Sequence, residues 1–120
     1  MAGARMRRVN EAVREVVSAH IAEDVADPRI GFVTVTGVET SADLRSARVY
    51  VSVLGEGAER EAALAGLSSA RGYLQQRVGE ELRMKRTPTL EFVHDDSIQH
   101  GMRISRLLAD LSDGSGGRPA

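Results

Sequence analysis

From Ala47 to Val53 every second residue is apolar: Ala47, Val49, Val51 and Val53 alternate with Arg48, Tyr50 and Ser52. A period of two places one set of side chains on each face of an extended chain, so this segment is a strand with one dry and one wetter face. Such a strand cannot bury its apolar side alone and needs both neighbouring strands and a second layer. The strands are encoded nearby. Ile30 to Val38 is rich in β-branched residues and reads as a strand, and the turn chemistry of Glu39 to Leu44 joins the two as a hairpin with a longish loop. Thr87-Pro88 opens a third, Thr89 to His94, because proline is tolerated at a strand's start but not inside it.

The covering layer is encoded by a different period. From Met6 to about Asp24, Val9, Val13, Val16, Val17, His20 and Ile21 form the stripe of an amphipathic helix, which Asp27-Pro28 stops. After Gly55 to Gly57, the residues Ala63, Leu64, Leu67, Ala70, Leu74, Val78 and Leu82 continue a helical period. That period crosses Ser68-Ser69-Ala70-Arg71-Gly72, where two serines and a glycine favour a break, so two helices meet there. A last helix is expected from near Asp96, capped through Gln99 and carried by Ile98, Met102, Ile104, Leu107, Leu108 and Leu111. The order helix, strand, strand, helix, helix, strand, helix is that of a two-layer α+β domain. Its second and third strands are joined by a crossover and therefore run parallel. Across the 120 residues we expect a flexible start at 1–4, one domain over 5–111 and a disordered tail over 112–120.

Composition removes several classes of function. There is no cysteine, which excludes disulfide frameworks, thiol nucleophiles and thiolate metal sites. No apolar run approaches the ~18 residues of a membrane span, and the first residues lack the apolar stretch of a signal peptide, so a cytoplasmic location is expected. His20 lies on the apolar stripe and reads as a histidine at the edge of the core. His94 and His100 flank Asp95-Asp96, superficially a metal or acid–base cluster, but neighbours in a strand point to opposite faces and Asp96 is spoken for as a cap. No nucleophile-elbow or phosphate-loop motif is present, and no cofactor or metal is expected.

A net charge of −1 does not by itself point to a polyanionic partner. Clustering does. Basic residues gather at Arg5, Arg7 and Arg8 and again at Arg83, Lys85 and Arg86, while acids gather at Glu23, Asp24 and Asp27 and at Glu56, Glu59 and Glu61. In the helix after the break, Ala70, Leu74, Val78 and Leu82 face the core, which puts Gly72, Gln76, Gly79 and Arg83 on the outward stripe. Each glycine costs a helix ~1 kcal/mol, and close approach of another backbone is the usual reason for tolerating it. Gly72 falls in the first turn after the break, where free N–H groups favour a phosphate; it either admits one, with Arg71 and Arg83 in support, or merely permits a tight corner. On the first reading Gly79→Ala should stabilise the fold and weaken binding.

The chain resembles the ribosome-binding factor A family over about Arg5 to Leu111. The resemblance is carried by Arg8-Val9-Asn10-Glu11, Asp27-Pro28-Arg29-Ile30, Val33-Thr34-Val35-Thr36, Asp43-Leu44, Ala47-Arg48-Val49-Tyr50-Val51, Ala70-Arg71-Gly72, Leu82 to Pro88, Leu90-Glu91-Phe92 and Asp95-Asp96-Ser97-Ile98. It implies a type II KH-like fold, αββααβ plus a C-terminal helix, with a helix-kink-helix at Ala70-Arg71-Gly72 in place of the G-x-x-G loop. It also implies a non-enzymatic RNA-binding factor for ribosome biogenesis, one that engages the free 30S subunit and assists late maturation of 16S rRNA. The RNA region implied is the 5′ region and the neck near the decoding site, with a role in cold adaptation. The RNA-binding residues expected are Arg7, Arg8, Ala70, Arg71, Gly72, Gln76, Gly79, Arg83, Lys85 and Arg86, in a monomer with no membrane or small-molecule ligand. Aromatic content of 3% fits a backbone-clamping module better than a base-stacking one. The alternatives are a KH-like protein-interaction or dimerisation module and an enzyme using His94, Asp95 and His100.

Overall fold

The computed structural model describes residues 2–95. The elements are α1 (Ala2–Glu23), β1 (Val33–Thr40), β2 (Ser46–Val53), α2 (Gly57–Ser69), α3 (Arg71–Glu81) and β3 (Thr89–His94). The expected last helix and the 112–120 tail lie outside the described residues. α1 starts at Ala2, ahead of its first apolar position, so it takes in the residues 2–4 that were expected to form a flexible start.

The sheet order is β1-β2-β3, with β2 antiparallel to β1 and parallel to β3. Val49, Val51 and Val53 face the helical layer as their alternation requires, and with Val13, Val17, Leu67, Leu74, Val78 and Leu90 they form one core. A register shift between Val35 and Gly37 keeps both ends of β1 in phase with β2, so that Val35 and Val38 both pair on the buried side.

β1 begins at Val33 rather than Ile30. Asp27 accepts the Arg29 backbone N–H on Oδ1 at 3.0 Å, and its carbonyl accepts the Ile30 N–H at 3.0 Å, so Asp27 to Ile30 is a closed turn followed by Gly31 at φ 56°. Ile30 is nonetheless buried. It plugs onto α2 at Gly66, where an added Cβ would come within 2.8 Å of Ile30 Cγ1. Tertiary packing, not strand pairing, explains this β-branched residue.

Two side chains tie helices to the sheet through backbone groups. Asn10 Oδ1 accepts the Thr40 N–H at 2.9 Å, and Gln75 Oε1 accepts the Leu90 N–H at 2.9 Å. A third tie joins α1 to α3. The His20 ring hydrogen-bonds Asp24 through Nδ1 and Glu81 through Nε2, Tyr73 donates its hydroxyl to Asp24, and Arg77 pairs with Glu81 at 3.0 Å. The two carboxylates raise the His20 pKa, Asp24 contributing most. His20 is buried as expected, but it is an ionic bridge between helices rather than a passive edge of the core.

Candidate nucleic-acid interface

α2 ends and α3 begins at Ala70 (φ −87°, ψ 0°), whose N–H reaches back to the carbonyls of Gly66 and Leu67 at 3.1 Å each. No side-chain hydrogen bond caps the start of α3. Gly72 is exposed with nothing within 4 Å of where a Cβ would stand, and Gln76 is exposed one turn on. Arg71 has no ion pair among the described residues, and its buried Nε has no hydrogen-bond partner. The helix break thus falls at Ala70, within the Ala70-Arg71-Gly72 segment where the sequence placed it.

The outward stripe does not continue as an ideal helix would draw it. Gly79 is half-buried, because the chain returning toward β3 lays Thr87 over it and a Cβ there would collide with Thr87 Oγ1. Close approach is indeed the reason for this glycine, but the approaching group is the protein's own. Arg83 has left the helix. Leu82 is the C-cap, Arg83 takes a left-handed φ of 51°, and the Met84 N–H bonds the Gly79 carbonyl at 3.1 Å, closing a Schellman motif with arginine where glycine is the common choice. Arg83 thus stands at the far end of α3 from Gly72, separated by 11 residues or ~16 Å of helix, and does not flank it.

Arg83 is instead one wall of a groove of about 630 Å³ lined by Arg5, Val9, Asp43, Leu44, Arg45, Leu82, Arg83, Met84, Lys85 and Arg86. Topology assembles it. Because β2 and β3 run parallel with Ser46 paired to Thr89, the hairpin loop and the α3–β3 loop arrive at the same end of the sheet, and the Thr89 N–H bonds the Arg45 carbonyl at 2.9 Å. The first turns of α1 close the third side.

Among the described residues, eight cations carry no ion pair: Arg5, Arg7, Arg8, Arg60, Arg71, Arg83, Lys85 and Arg86. Four of these eight line this one groove, opposed by the single carboxylate of Asp43, which sits 3.8 Å from Arg45. Convergence of uncompensated charge, rather than net charge, is what sets this surface apart. Arg7 and Arg8 stand exposed on the same turns of α1, outside the groove lining. Arg5, Arg45 and Leu44 are groove residues that the expected site omitted. The signal that could have found them is the parallel pairing itself, which puts the two loops side by side.

The His94–Asp95 segment is otherwise engaged. The Asp95 N–H bonds the Val51 carbonyl at 2.8 Å and its carboxylate accepts the Thr36 hydroxyl at 2.6 Å, while His100 lies outside the described residues. No cluster of three or more potential ligands able to hold a metal occurs among the described residues. No described helix is long and apolar enough to cross a membrane.

A three-stranded mixed sheet backed by α1 and a kinked helix pair defines a KH-like α+β domain, here with its free cations gathered at one end. The ribosome-binding factor A family model matches residues 5–108, and the chain belongs to that family. It is 42% identical over 112 residues to ribosome-binding factor A of Geobacter sulfurreducens, covering 93% of this chain and 95% of that one. The crystal structure of ribosome-binding factor A from Thermus thermophilus superposes with a TM-score of 0.67 at 30% identity, over 74% of this chain and 94% of that one. Coordinates of the Thermus thermophilus factor fitted as a homology model into the cryo-EM map of its 30S complex match with a TM-score of 0.60 at 31% identity, over 72% of this chain and 91% of that one.

Proposed function

We propose that this chain binds the free 30S subunit through phosphates of 16S rRNA and assists late maturation and processing of that RNA. The observation that carries the proposal is the groove: Arg5, Arg83, Lys85 and Arg86 converge without ion-pair partners in a chain of net charge −1. The fitted 30S complex of the Thermus relative supports the same partner. In this reading the groove and the kink at Ala70, Arg71 and Gly72 are two contacts at opposite ends of α3. Gln76 lies between them, and Arg7 and Arg8 extend the basic surface along α1. Gly79 contributes by letting the α3–β3 loop pack close, so that Arg83, Lys85 and Arg86 are held in place.

The RNA region is the 5′ region and the neck near the decoding site, the protein acts as a monomer without catalysis, and its role is greatest in the cold. The test is a sucrose gradient of cell extract. Co-migration with free small subunits, and not with assembled ribosomes, is expected, and purified small subunits should bind with an affinity that falls steeply with salt, because each neutralised phosphate releases counterions. Absence from the small-subunit fraction together with salt-independent binding would overturn the proposal. It would favour a protein-interaction module, for which the exposed Phe32 and Leu54, joined through a 3.1 Å backbone bond, are the available apolar contact.

A further inference from the structure

The basic groove has an apolar floor, on which Val9, Leu82 and Met84 also pack against the core, and at Leu44 a backbone conformation that phosphate contacts do not explain. Val9, Leu44, Leu82 and Met84 lie among the cations and are each only half-buried. Among the described residues two non-glycine residues adopt a left-handed φ, Leu44 at 61° and Arg83 at 51°, and both line this groove, one from each loop. A bulky apolar side chain in that region is an outlier, disfavoured by the clash of its Cβ with the backbone. Strain of this kind collects where a ligand is held. The one at Leu44 presents a partly exposed leucine to the groove, which a phosphate has no use for.

Resting on the reading of the groove as an RNA contact, we infer that it takes an unpaired nucleotide. Its base lies flat on Leu44, Met84, Val9 and Leu82, while the flanking phosphates meet Arg5, Arg83, Lys85 and Arg86. A base inside a helix is stacked and cannot offer its face, so the groove selects single-stranded RNA over duplex. This nucleotide site is separate from the kink, which stands ~16 Å away along α3.

The experiment uses the full chain and two octaribonucleotide probes, one of adenylates and one of the same length with its two central bases replaced by abasic residues. At low salt the intact probe should bind about tenfold tighter, the scale of one seated base, and should outcompete an eight-base-pair RNA duplex. Leu44→Gly, which removes the floor and suits the left-handed backbone, should fold and melt no lower than the parent. It should abolish the difference between the two probes while leaving the salt dependence of either unchanged. Equal affinity for intact and abasic probes, with steep salt dependence retained, would overturn the base seat and leave the phosphate reading standing. Loss of salt-dependent binding to both probes and to small subunits would instead remove that underlying reading. If Leu44→Gly weakens binding to the small subunit yet the two probes bind alike, the floor meets a protein side chain and the inference falls.

Discussion

Arg83→Gly separates what the α3 terminus needs for folding from what it offers a partner. In a left-handed backbone an L residue is disfavoured by ~1–2 kcal/mol, and the observed φ of 51° places Arg83 there. Glycine removes that strain but adds freedom to the unfolded chain, which returns ~0.4–1 kcal/mol. The Schellman bond from the Met84 N–H to the Gly79 carbonyl is made by the backbone and survives. The net expectation is stabilisation by ~0.5–1 kcal/mol, or a Tm increase of about 2–6 °C for a domain of this size. Binding should move the other way. Loss of one phosphate contact lowers the slope of log affinity against log salt by ~0.7–0.9. The assays are thermal unfolding by circular dichroism and filter binding of small subunits across a salt series. Arg83→Ala is the control, since it loses the same contact but keeps a Cβ in the strained region and so should not gain stability. An Arg83→Gly protein that melts lower than the parent, or an unchanged salt slope, would refute the reasoning that arginine is kept here for its charge against its conformational cost.

Three further outcomes rest on the packing. Gly79→Ala should lower the Tm, since overpacking against Thr87 (~1–3 kcal/mol) outweighs the ~1 kcal/mol of helix propensity gained; Thr87→Ala in the same chain should restore it, and a higher Tm for the single variant would count against this packing. Gly66→Ala, with Ile30 Cγ1 2.8 Å from the new methyl, should destabilise by ~1–3 kcal/mol as read by urea unfolding, and a neutral result would mean that the Asp27 to Ile30 turn yields easily. His20 has its pKa raised in the fold, so its contribution is complete below the ordinary imidazole range near 6.5 and is lost as pH rises through the higher folded value. Asp24 and Glu81 are lowered, Asp24 mainly by the Tyr73 hydroxyl and Glu81 mainly by His20, so their contribution fades only as pH falls below the carboxylate range. The stability difference between parent and His20→Gln should therefore be largest at mildly acidic pH and shrink toward pH 8; a difference that grows with pH would contradict the charged bridge.

How much of this was legible in the residues depends on which period carried the information. The alternation in Ala47 to Val53 and the stripe through Leu74 and Val78 state which side is buried, because burial acts on each side chain separately and repeats with the element. Those assignments match the core, and the parallel crossover follows from them. The helix break at Ala70 was legible for a related reason, since serine and glycine act through local backbone propensity. What the pattern could not carry is any contact made once only. The Ile30 plug, the Thr87 lid over Gly79 and the His20 bridge each join residues separated along the chain, and a single contact has no periodicity to announce it.

The candidate site divides along the same line. An ideal helical wheel extended α3 through Arg83, but a helix must end, and the loop after it has to turn back toward β3. That turn swings Arg83 off the stripe and lays Thr87 on Gly79. The same turn brings Arg83, Lys85 and Arg86 against the hairpin loop, which a wheel cannot represent because it stops at the last helical residue. Six of the expected residues, Arg7, Arg8, Arg71, Arg83, Lys85 and Arg86, carry no ion pair among the described residues, but they do not all share one surface. Arg71 belongs with the kink, and Arg83 belongs with Arg5, Lys85 and Arg86 across the groove from Leu44. A single strand bound at both places must run the length of α3, so variants at Arg71 and Arg83 should be additive in their effect on affinity, as sites without shared partners are. Strong coupling between them in a double-mutant cycle would place them on one phosphate and collapse the two contacts into one.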